Sequence, residues 1–320
     1  NALALNGGTI KDVAGNDGIL THSLVDNNSS YKVDTTPPTV DSVAITNGTN
    51  MLNNFLNASD AAGRDVVSAT VTFSEVVYKS GTPQLTLAVG SDNRTATYTS
   101  GSGSAPLVFA YTIQAGDTDT DGISIAANAL SLNSGTITDF AGNLATDITH
   151  SAVSDNAEYM VDTTAPSVNS FAMSDTALKV GDNSTVTLVL SEEVILFSSS
   201  ADITVANGSL STMTSSDNIT WSGTYTPRTL TEDATNTLSL ATSYTDPAGN
   251  NGDNSTTTNF AVNTLGPTVS SVAITSAAGI QNNFLNAGDN VTVTVTYSET
   301  VIVDTTSGSP TLTIVVGSTN

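Results

Sequence analysis

The sequence predicts an all-β chain built from tandem β-sandwich repeats, and three observations lead to this prediction. The composition favours strands, long segments recur along the chain, and apolar residues alternate with polar ones inside each recurrence. Thr, Ser, Asn, Asp, Val and Gly dominate. β-Branched residues lose rotamer freedom in a helix, and Ser, Asn and Asp compete for its backbone hydrogen bonds. The composition therefore favours short strands joined by polar turns.

Two kinds of repeat recur along the chain. The opening segment, NALALNGGTIKDVAGN, returns from residue 128 as NALSLNSGTITDFAGN, and the linker YKVDTTPPTV returns as YMVDTTAPSV and, more weakly, as FAVNTLGPTV. Asp34, Asp162 and Asn263 in these linkers mark the repeat starts. The predicted order is the C-terminal part of a long repeat (1–33), a complete long repeat (34–161), a complete short repeat (162–262) and the N-terminal part of a further long repeat (263–320). We therefore expect the chain to be a segment of a longer protein.

Strand periodicity inside the repeats supports a sandwich. Segments 67–73 and 184–190 alternate between apolar and polar residues, as half-buried strands do, and Gly-containing turns punctuate them. The short repeat is predicted to hold about seven strands in about a hundred residues, which is the size of an immunoglobulin-like domain. Trp221 is predicted to anchor its core. The fold class is thus all-β, with tandem immunoglobulin-like sandwiches in a linear array.

The charge of the chain restricts its partners. The formal net charge is −23, with 30 acidic residues against 7 Lys and Arg. Nucleic acid and anionic membranes are disfavoured, because binding them needs a basic surface, and no apolar run approaches the ~20 residues of a membrane span. A divalent cation is the natural counterpart. The alternative is that acidity serves solubility alone.

No catalytic motif is recognisable in the sequence. Nucleophile elbows, zinc-protease motifs, Walker loops and dinucleotide fingerprints are missing. The two histidines, His22 and His150, occupy the same repeat position, which indicates a scaffold role. We therefore predict neither catalytic residues nor an organic cofactor, and no enzymatic activity.

One acidic loop has the spacing of a calcium-binding turn. Asp117, Asp119 and Asp121 alternate and are followed by Gly122, so that several carboxylates could wrap one Ca²⁺ ion. The pattern departs from an EF-hand, because Asn128 replaces the bidentate Glu and strands flank the loop. The alternative is a plain acidic turn.

A second set of acids is expected to converge at the repeat junctions. In a sandwich, the entering linker, the loop after the second strand and the loop before the last strand lie at one end. A Ser-Glu motif is predicted to close the second strand, and an Asp-x-Ala-Gly-Asn motif precedes the last. The predicted ligands are Asp34, Glu75, Asp139 and Asn143 at one junction, Asp162, Glu192, Asp246 and Asn250 at another, and Asp12, Asn16 and Glu299 in the partial repeats.

Calcium is the ion that this second set would hold. Crowded carboxylates repel one another unless a cation lies among them, and oxygen ligands without sulfur select Ca²⁺ over zinc. The alternative is that the Asp-x-Ala-Gly-Asn motif is only a β-turn. Asn263 replaces the linker Asp at the third junction, which should weaken a site there.

These motifs resemble those of known repeat families. The short repeat, with VGDNSTVTLVLSEEV, ITWSGTYTP and YTDPAGN, resembles bacterial immunoglobulin-like repeats of repeats-in-toxin adhesins and biofilm-associated proteins. The long repeat, with FSEVV, LVFAYTI, GDTDTDGISI and ITDFAGN, resembles that of a giant cyanobacterial swimming-motility surface protein. The resemblance implies extracellular, often calcium-dependent modules that form stalks or adhesion arms.

The predicted function is a non-catalytic stalk at the bacterial cell surface, rigidified by calcium at loops and domain junctions. Its partners would be neighbouring repeats, with surface ligands bound by domains outside this segment. Two alternatives remain: a subunit of an extracellular filament or surface layer that contacts other copies, and spacer modules of a secreted glycosidase.

Overall fold

The computed structural model describes residues 3–58 and 65–317, and the chain divides into two compact units, Asn1–Thr163 and Thr164–Asn320. The described residues form 22 strands and one four-residue helix, α1 (Ser199–Asp202), which confirms the predicted all-β fold class. None of the helices in the described ranges is long and apolar enough to span a membrane. The ends of the two predicted partial repeats, residues 1–2 and 318–320, lie outside the described residues.

The first unit contains ten strands within its described part. They are β1 (Val40–Gly48), β2 (Phe55–Leu56), β3 (Val66–Lys79), β4 (Gln84–Val89), β5 (Asp92–Ser100), β6 (Ser104–Thr112), β7 (Thr118–Asp119), β8 (Leu130–Ser131), β9 (Ile137–Thr138) and β10 (Met160–Asp162). One sheet has the order β1-β3-β6-β5-β4-β8, with β9 also paired to β3, and a second sheet has the order β2-β10-β7.

The core of the first unit follows from the two-residue period of its strands. Along β3, Val67, Ala69, Val71 and Phe73 are buried while the residues between them are partly exposed. Antiparallel pairing with β6 brings Leu107 and Phe109 onto the same buried face. The second sheet contributes its own inward side chains, so the apolar core lies between the two sheets.

The second unit contains twelve strands within its described part. They are β11 (Val168–Met173), β12 (Ala177–Lys179), β13 (Ser184–Leu190), β14 (Ile203–Val205), β15 (Gly208–Leu210), β16 (Thr220–Pro227), β17 (Glu232–Asn236), β18 (Leu238–Leu240), β19 (Ser255–Thr256), β20 (Phe260–Asn263), β21 (Val269–Ala278) and β22 (Asn290–Tyr297). The sheet orders are β11-β13-β16-β15, β12-β20-β17, β14-β18-β19 and β21-β22.

Segment 162–262 has more strands than the sequence predicts. Ten strands, β11 to β20, follow one another there instead of about seven, because several are only two or three residues long.

In the core of segment 162–262, Tyr225 and Phe260 pack edge to face with ring centroids 5.1 Å apart. Trp221 is only partly buried and packs on the edge of this core, with its ring 4.7 Å from that of Phe197.

The segments at the two ends contribute little to either core. In the described range 3–33, the structure has an isolated bridge between Lys11 and Asp17, and nearly all residues are exposed. In the described range 263–317, β21 and β22 form an antiparallel pair whose side chains are largely exposed. Neither apolar core includes a described residue of these two ranges.

Candidate metal centre

The Asp-x-Ala-Gly-Asn motif has one local geometry at three places in the chain. In the 139–143 copy, Asn143 donates from its backbone N to Asp139 Oδ1 at 2.8 Å and from its side-chain Nδ2 to Asp139 Oδ2 at 2.7 Å. The 12–16 and 246–250 copies repeat both bonds at 2.8–2.9 Å. Gly142, at φ 96°, supplies the left-handed backbone that closes the turn. The motif is therefore a turn that fixes the orientation of its own carboxylate.

In the first unit this turn lies beside two other carboxylates. Oxygen atoms of Asp34, Glu75 and Asp139 lie within 4.8 Å of one another. Asp34 belongs to the exposed linker before β1, Glu75 is partly buried in β3, and Asp139 is buried directly after β9. The Asn143 side chain also donates to the Asp34 carbonyl oxygen at 3.2 Å. The three carboxylates that the sequence predicts at this junction are thus close together.

The route by which Glu75 reaches the site differs from the prediction. The Ser-Glu motif was expected to close its strand, but β3 continues to Lys79. The register with β6 shifts between Thr72 and Val77, where Val77 pairs with Ser104, and the last two residues of β3 also gain β9 as a partner, Tyr78 opposite Thr138. Because Asp139 directly follows β9, the pairing of β9 with β3 brings it next to Glu75. The expectation that the strand ends here is wrong, since the strand continues to Lys79 and gains β9 as a partner.

Within this group, the pKa values of Glu75 and Asp139 are shifted in opposite directions. Burial, together with the charges of Asp139 and Asp34, raises the pKa of Glu75. For Asp139, burial acts to raise the pKa, but hydrogen bonds from Asn143 and from the turn backbone outweigh it, so the pKa of this carboxyl is lowered. Asp139 is therefore held as a carboxylate, and a cation bound nearby would lower the raised pKa of Glu75.

The equivalent loops of the second unit place two carboxylates together. Oxygen atoms of Glu192 and Asp246 lie within 4.8 Å of each other. Here β13 ends at Leu190, directly before the Ser-Glu motif, as predicted. Asp246 is fully buried and Asn250 nearly so. Asp162 is the last residue of β10 in the first unit, and by sequence it corresponds to Asp34. Its part in a second site stays a prediction.

The predicted ligands of the partial repeats are not assembled into such groups. Asp12 is exposed, with Asn16 as its hydrogen-bond partner, and Glu299 is exposed just after β22. Within residues 3–58 and 65–317, no group of three close carboxylates includes either residue. Ligand roles for Asp12, Asn16 and Glu299 therefore remain predictions.

In the predicted calcium loop, Asp117 has protein partners. Its buried carboxylate accepts hydrogen bonds from Arg94 Nε at 2.7 Å, the Tyr111 hydroxyl at 2.7 Å and the backbone N of Gln114 at 2.9 Å. Burial and the contact with Asp117 raise the pKa of Tyr111 to about 12. Sequence reasoning missed Arg94 and Tyr111, and the signal that could have found them is that a buried Asp requires a cation or several donors.

The other two acids of this loop differ in exposure. Asp119, in β7, is buried and accepts hydrogen bonds from the backbone N of Gly90 and of Gly122, each at 2.7 Å. Burial raises its pKa, and the exposed Asp121 raises it further. Asp117, Asp119 and Asp121 do not form a close three-carboxylate group in the described part of the chain. Calcium binding by this loop stays a prediction, and the geometry favours the acidic-turn alternative.

The chemistry of the Asp34–Glu75–Asp139 group suits a hard cation. Its donor atoms are all carboxylate oxygens, with no sulfur or imidazole nitrogen in the group. Ca²⁺ takes six to eight oxygen ligands in flexible geometry, whereas zinc prefers nitrogen and sulfur. Asn143 contacts Asp139 and Asp34 through its amide nitrogen, which makes it a positioning group, and its role as a ligand stays a prediction.

Comparison with known proteins identifies one part of the chain. No curated protein sequence matches it. Among solved structures it is similar to the titin I9-I11 tandem (TM-score 0.30, 8% identity, 72% of this chain and 69% of that one). It is also similar to the mixed-linkage glucan utilization locus protein SGBP-B of Bacteroides ovatus (TM-score 0.19, 13% identity, 83% of this chain and 55% of that one). Residues 162–262 match the family model described as a bacterial Ig-like domain, so the second unit contains an Ig-like domain of the bacterial type.

Proposed function

We propose that this chain is a non-catalytic series of extracellular repeats in the stalk of a large bacterial surface protein, and that calcium stiffens it. The observation that carries the proposal is the Asp34–Glu75–Asp139 group, with its oxygen atoms within 4.8 Å of one another. One member comes from the linker and two come from the body of the following repeat. A cation bound there would hold the linker against the domain.

The electrostatics of the group support a bound cation. Glu75 has a raised pKa because of burial and the two neighbouring carboxylates, and no donor among the described residues contacts its side chain. A divalent cation would replace this repulsion with attraction and favour the ionised form. Extracellular EF-hand modules bind calcium at about 10⁻⁴–10⁻³ M, so even a modest affinity would suffice outside the cell.

The linker needs such a fastening if the repeats are to form a stalk. Between Asp34 and β1, Pro37 and Pro38 restrict the backbone, but the contacts of Asp34 are a hydrogen bond from Thr36 N at 3.1 Å and the bond from Asn143. Asp34 is exposed, so water competes for both bonds. Metal coordination would add a strong contact at this weak point.

The sequence extends the same arrangement to the next repeat. Glu192 and Asp246 match Glu75 and Asp139 in motif and in closeness. The linker residue that corresponds to Asp34 is Asp162. We therefore include a second calcium ion held by Asp162, Glu192 and Asp246 in the proposal. Repetition at successive linkers is what a stalk requires, because each repeat of such an array contacts only its neighbours.

The surface location is supported by two further observations. Residues 162–262 match a bacterial Ig-like family, and domains of this kind commonly occur in surface and secreted proteins. The net charge of −23 is compatible with calcium-rich surroundings, where counter-ions offset the self-repulsion of the chain.

Calorimetric titration of the full chain with calcium tests this proposal. The variant Glu75→Gln should bind one calcium ion fewer than the parent chain, because it removes a ligand charge without breaking a protein hydrogen bond. The matched control is Glu299→Gln, which changes the same Ser-Glu motif where no close carboxylate group is assembled among the described residues. An unchanged stoichiometry in Glu75→Gln would remove the basis of the proposal.

A further inference from the structure

The imidazole of His150 is built into the first unit as a hydrogen-bond acceptor. The residue is 9% exposed. Its Nε2 receives hydrogen bonds from the backbone N of Ala129 at 2.9 Å and of Leu130 at 3.3 Å. Its Nδ1 lies 2.8 Å from the carbonyl oxygen of Ser151. The ring therefore joins two separate segments of the chain.

These partners determine the protonation state of the ring. A carbonyl oxygen only accepts, so Nδ1 must carry the hydrogen, and backbone N–H groups only donate, so Nε2 must carry the lone pair. The ring is then a neutral imidazole in the Nδ1–H form. Protonation would place a hydrogen on Nε2, pointing at two N–H donors, and would break both bonds.

The segment that the ring holds is an edge of the main sheet. Leu130 begins β8, and β8 pairs with β4 through Leu130 opposite Leu85 and Ser131 opposite Gln84. Leu130 belongs to the apolar core, at 5% exposed. Asn128 supports the same contact, because it donates from its N to His150 O at 3.2 Å and accepts from His150 N at 3.1 Å.

No charged group contacts the ring in the part of the chain that the structure describes. The segments 128–130 and 149–151 contain no acidic or basic residue besides His150, and neither does β4. The nearest carboxylate along the chain, Asp147, accepts hydrogen bonds from Thr149. On the far side of β4, Asp92 and Arg94 of β5 are paired with each other. Hence no neighbouring carboxylate compensates the charge of a protonated ring.

We propose that His150 is an acid-sensitive latch on this sheet edge. When the ring takes up a proton, Ala129 and Leu130 lose their acceptor and β8 is released from β4. The edge of β4 at Gln84 and Leu85 then becomes open, and an unpaired edge is a template for pairing with another strand. This device is independent of the calcium sites, because none of the residues involved is a predicted ligand.

Amide hydrogen exchange in the full chain tests the latch. His22→Gln gives a chain with His150 as its single histidine, and its backbone amides and ring signals are followed by NMR as the pH is lowered from 7.5 until the ring signals show protonation. We expect the protection of the Ala129 and Leu130 amides to fall about tenfold or more as the ring becomes protonated. The amide of Val71, in the middle of the sheet, serves as the internal reference and should keep its protection.

A second variant distinguishes the effect of protonating the His150 ring from the effect of protonating carboxylates. In the double variant with His22→Gln and His150→Gln, the Gln Oε1 can accept the same bonds at every pH, so the fall should disappear. If the fall persists in that variant, or if the single-histidine chain shows Nε2–H imidazole at pH 7.5, the latch is refuted. If the double variant does not fold, the ring signals of the single-histidine chain still decide. Loss of protection must then follow the protonation of the ring, and protection independent of it would overturn the proposal.

Discussion

Asn143 fastens the linker to the repeat, because its side-chain nitrogen donates a hydrogen bond of 3.2 Å to the carbonyl oxygen of Asp34, 109 residues earlier in the chain. The same nitrogen donates to the Asp139 carboxylate. One amide thus aligns a linker residue and a loop residue whose carboxylates both belong to the proposed calcium site. The conformation of the linker and the affinity for calcium should therefore change together.

Replacing Asn143 with alanine tests this positioning role. The variant Asn143→Ala removes both side-chain bonds while leaving the three carboxylates in place. Groups that orient metal ligands typically contribute about 10–100-fold to metal affinity, so we expect a loss of that size at one site. Calorimetry measures it, with Asn16→Ala as the control at the exposed copy of the motif. Unchanged affinity would show that the turn backbone alone orients Asp139.

Glu75 should change the stability of the chain in opposite directions with and without calcium. Its raised pKa means that the folded state binds this proton more tightly than the unfolded chain does. In chelator, the contribution of this group to stability is greatest at acid pH and is lost as pH rises from the ordinary Glu value through the raised one.

The variant Glu75→Gln removes this titration, and melting temperatures measure the result. In chelator at pH 7 the variant should melt above the parent chain, since it lacks the uncompensated charge. In calcium at about 100 times its Kd, the parent should gain about 2.7 kcal/mol per site and the variant should gain less. A variant that melts below the parent in chelator would contradict the proposed repulsion.

The Arg94–Asp117 pair should contribute more to stability than to calcium binding. Arg94→Met leaves the buried Asp117 carboxylate without its cation, and removing one partner of a buried charge destabilises the folded chain. The exposed partner Asp92 provides the control, because Asp92→Asn should change the free energy of unfolding by less than about 1 kcal/mol. Urea unfolding measures both. Equal effects of the two variants would contradict the role given to Asp117.

The sequence predicts the carboxylate group better than it predicts the acidic loop, for physical reasons. Asp34 lies in the entering linker and Asp139 follows a strand end, two positions that a sandwich of this topology places at one pole, whereas Glu75 joins them from within β3. The partners of Asp117 depend instead on cross-strand neighbours, and Arg94 lies 23 residues away. Nothing in the local spacing shows which acids are buried. The continuation of β3 past Glu75 was equally hidden, because it depends on pairing with β9, nearly sixty residues later.

The mobility of the linker in calcium and in chelator tests the central claim most directly. Heteronuclear NOE values for the amides of Val33, Asp34, Thr35 and Thr36 in the full chain report the fast motion of this segment. With calcium bound, these values should rise to those of the neighbouring strand β1, and in Glu75→Gln they should stay low. If calorimetry shows calcium bound to the parent chain while the linker amides remain as mobile as in chelator, calcium does not stiffen this joint and the account is wrong.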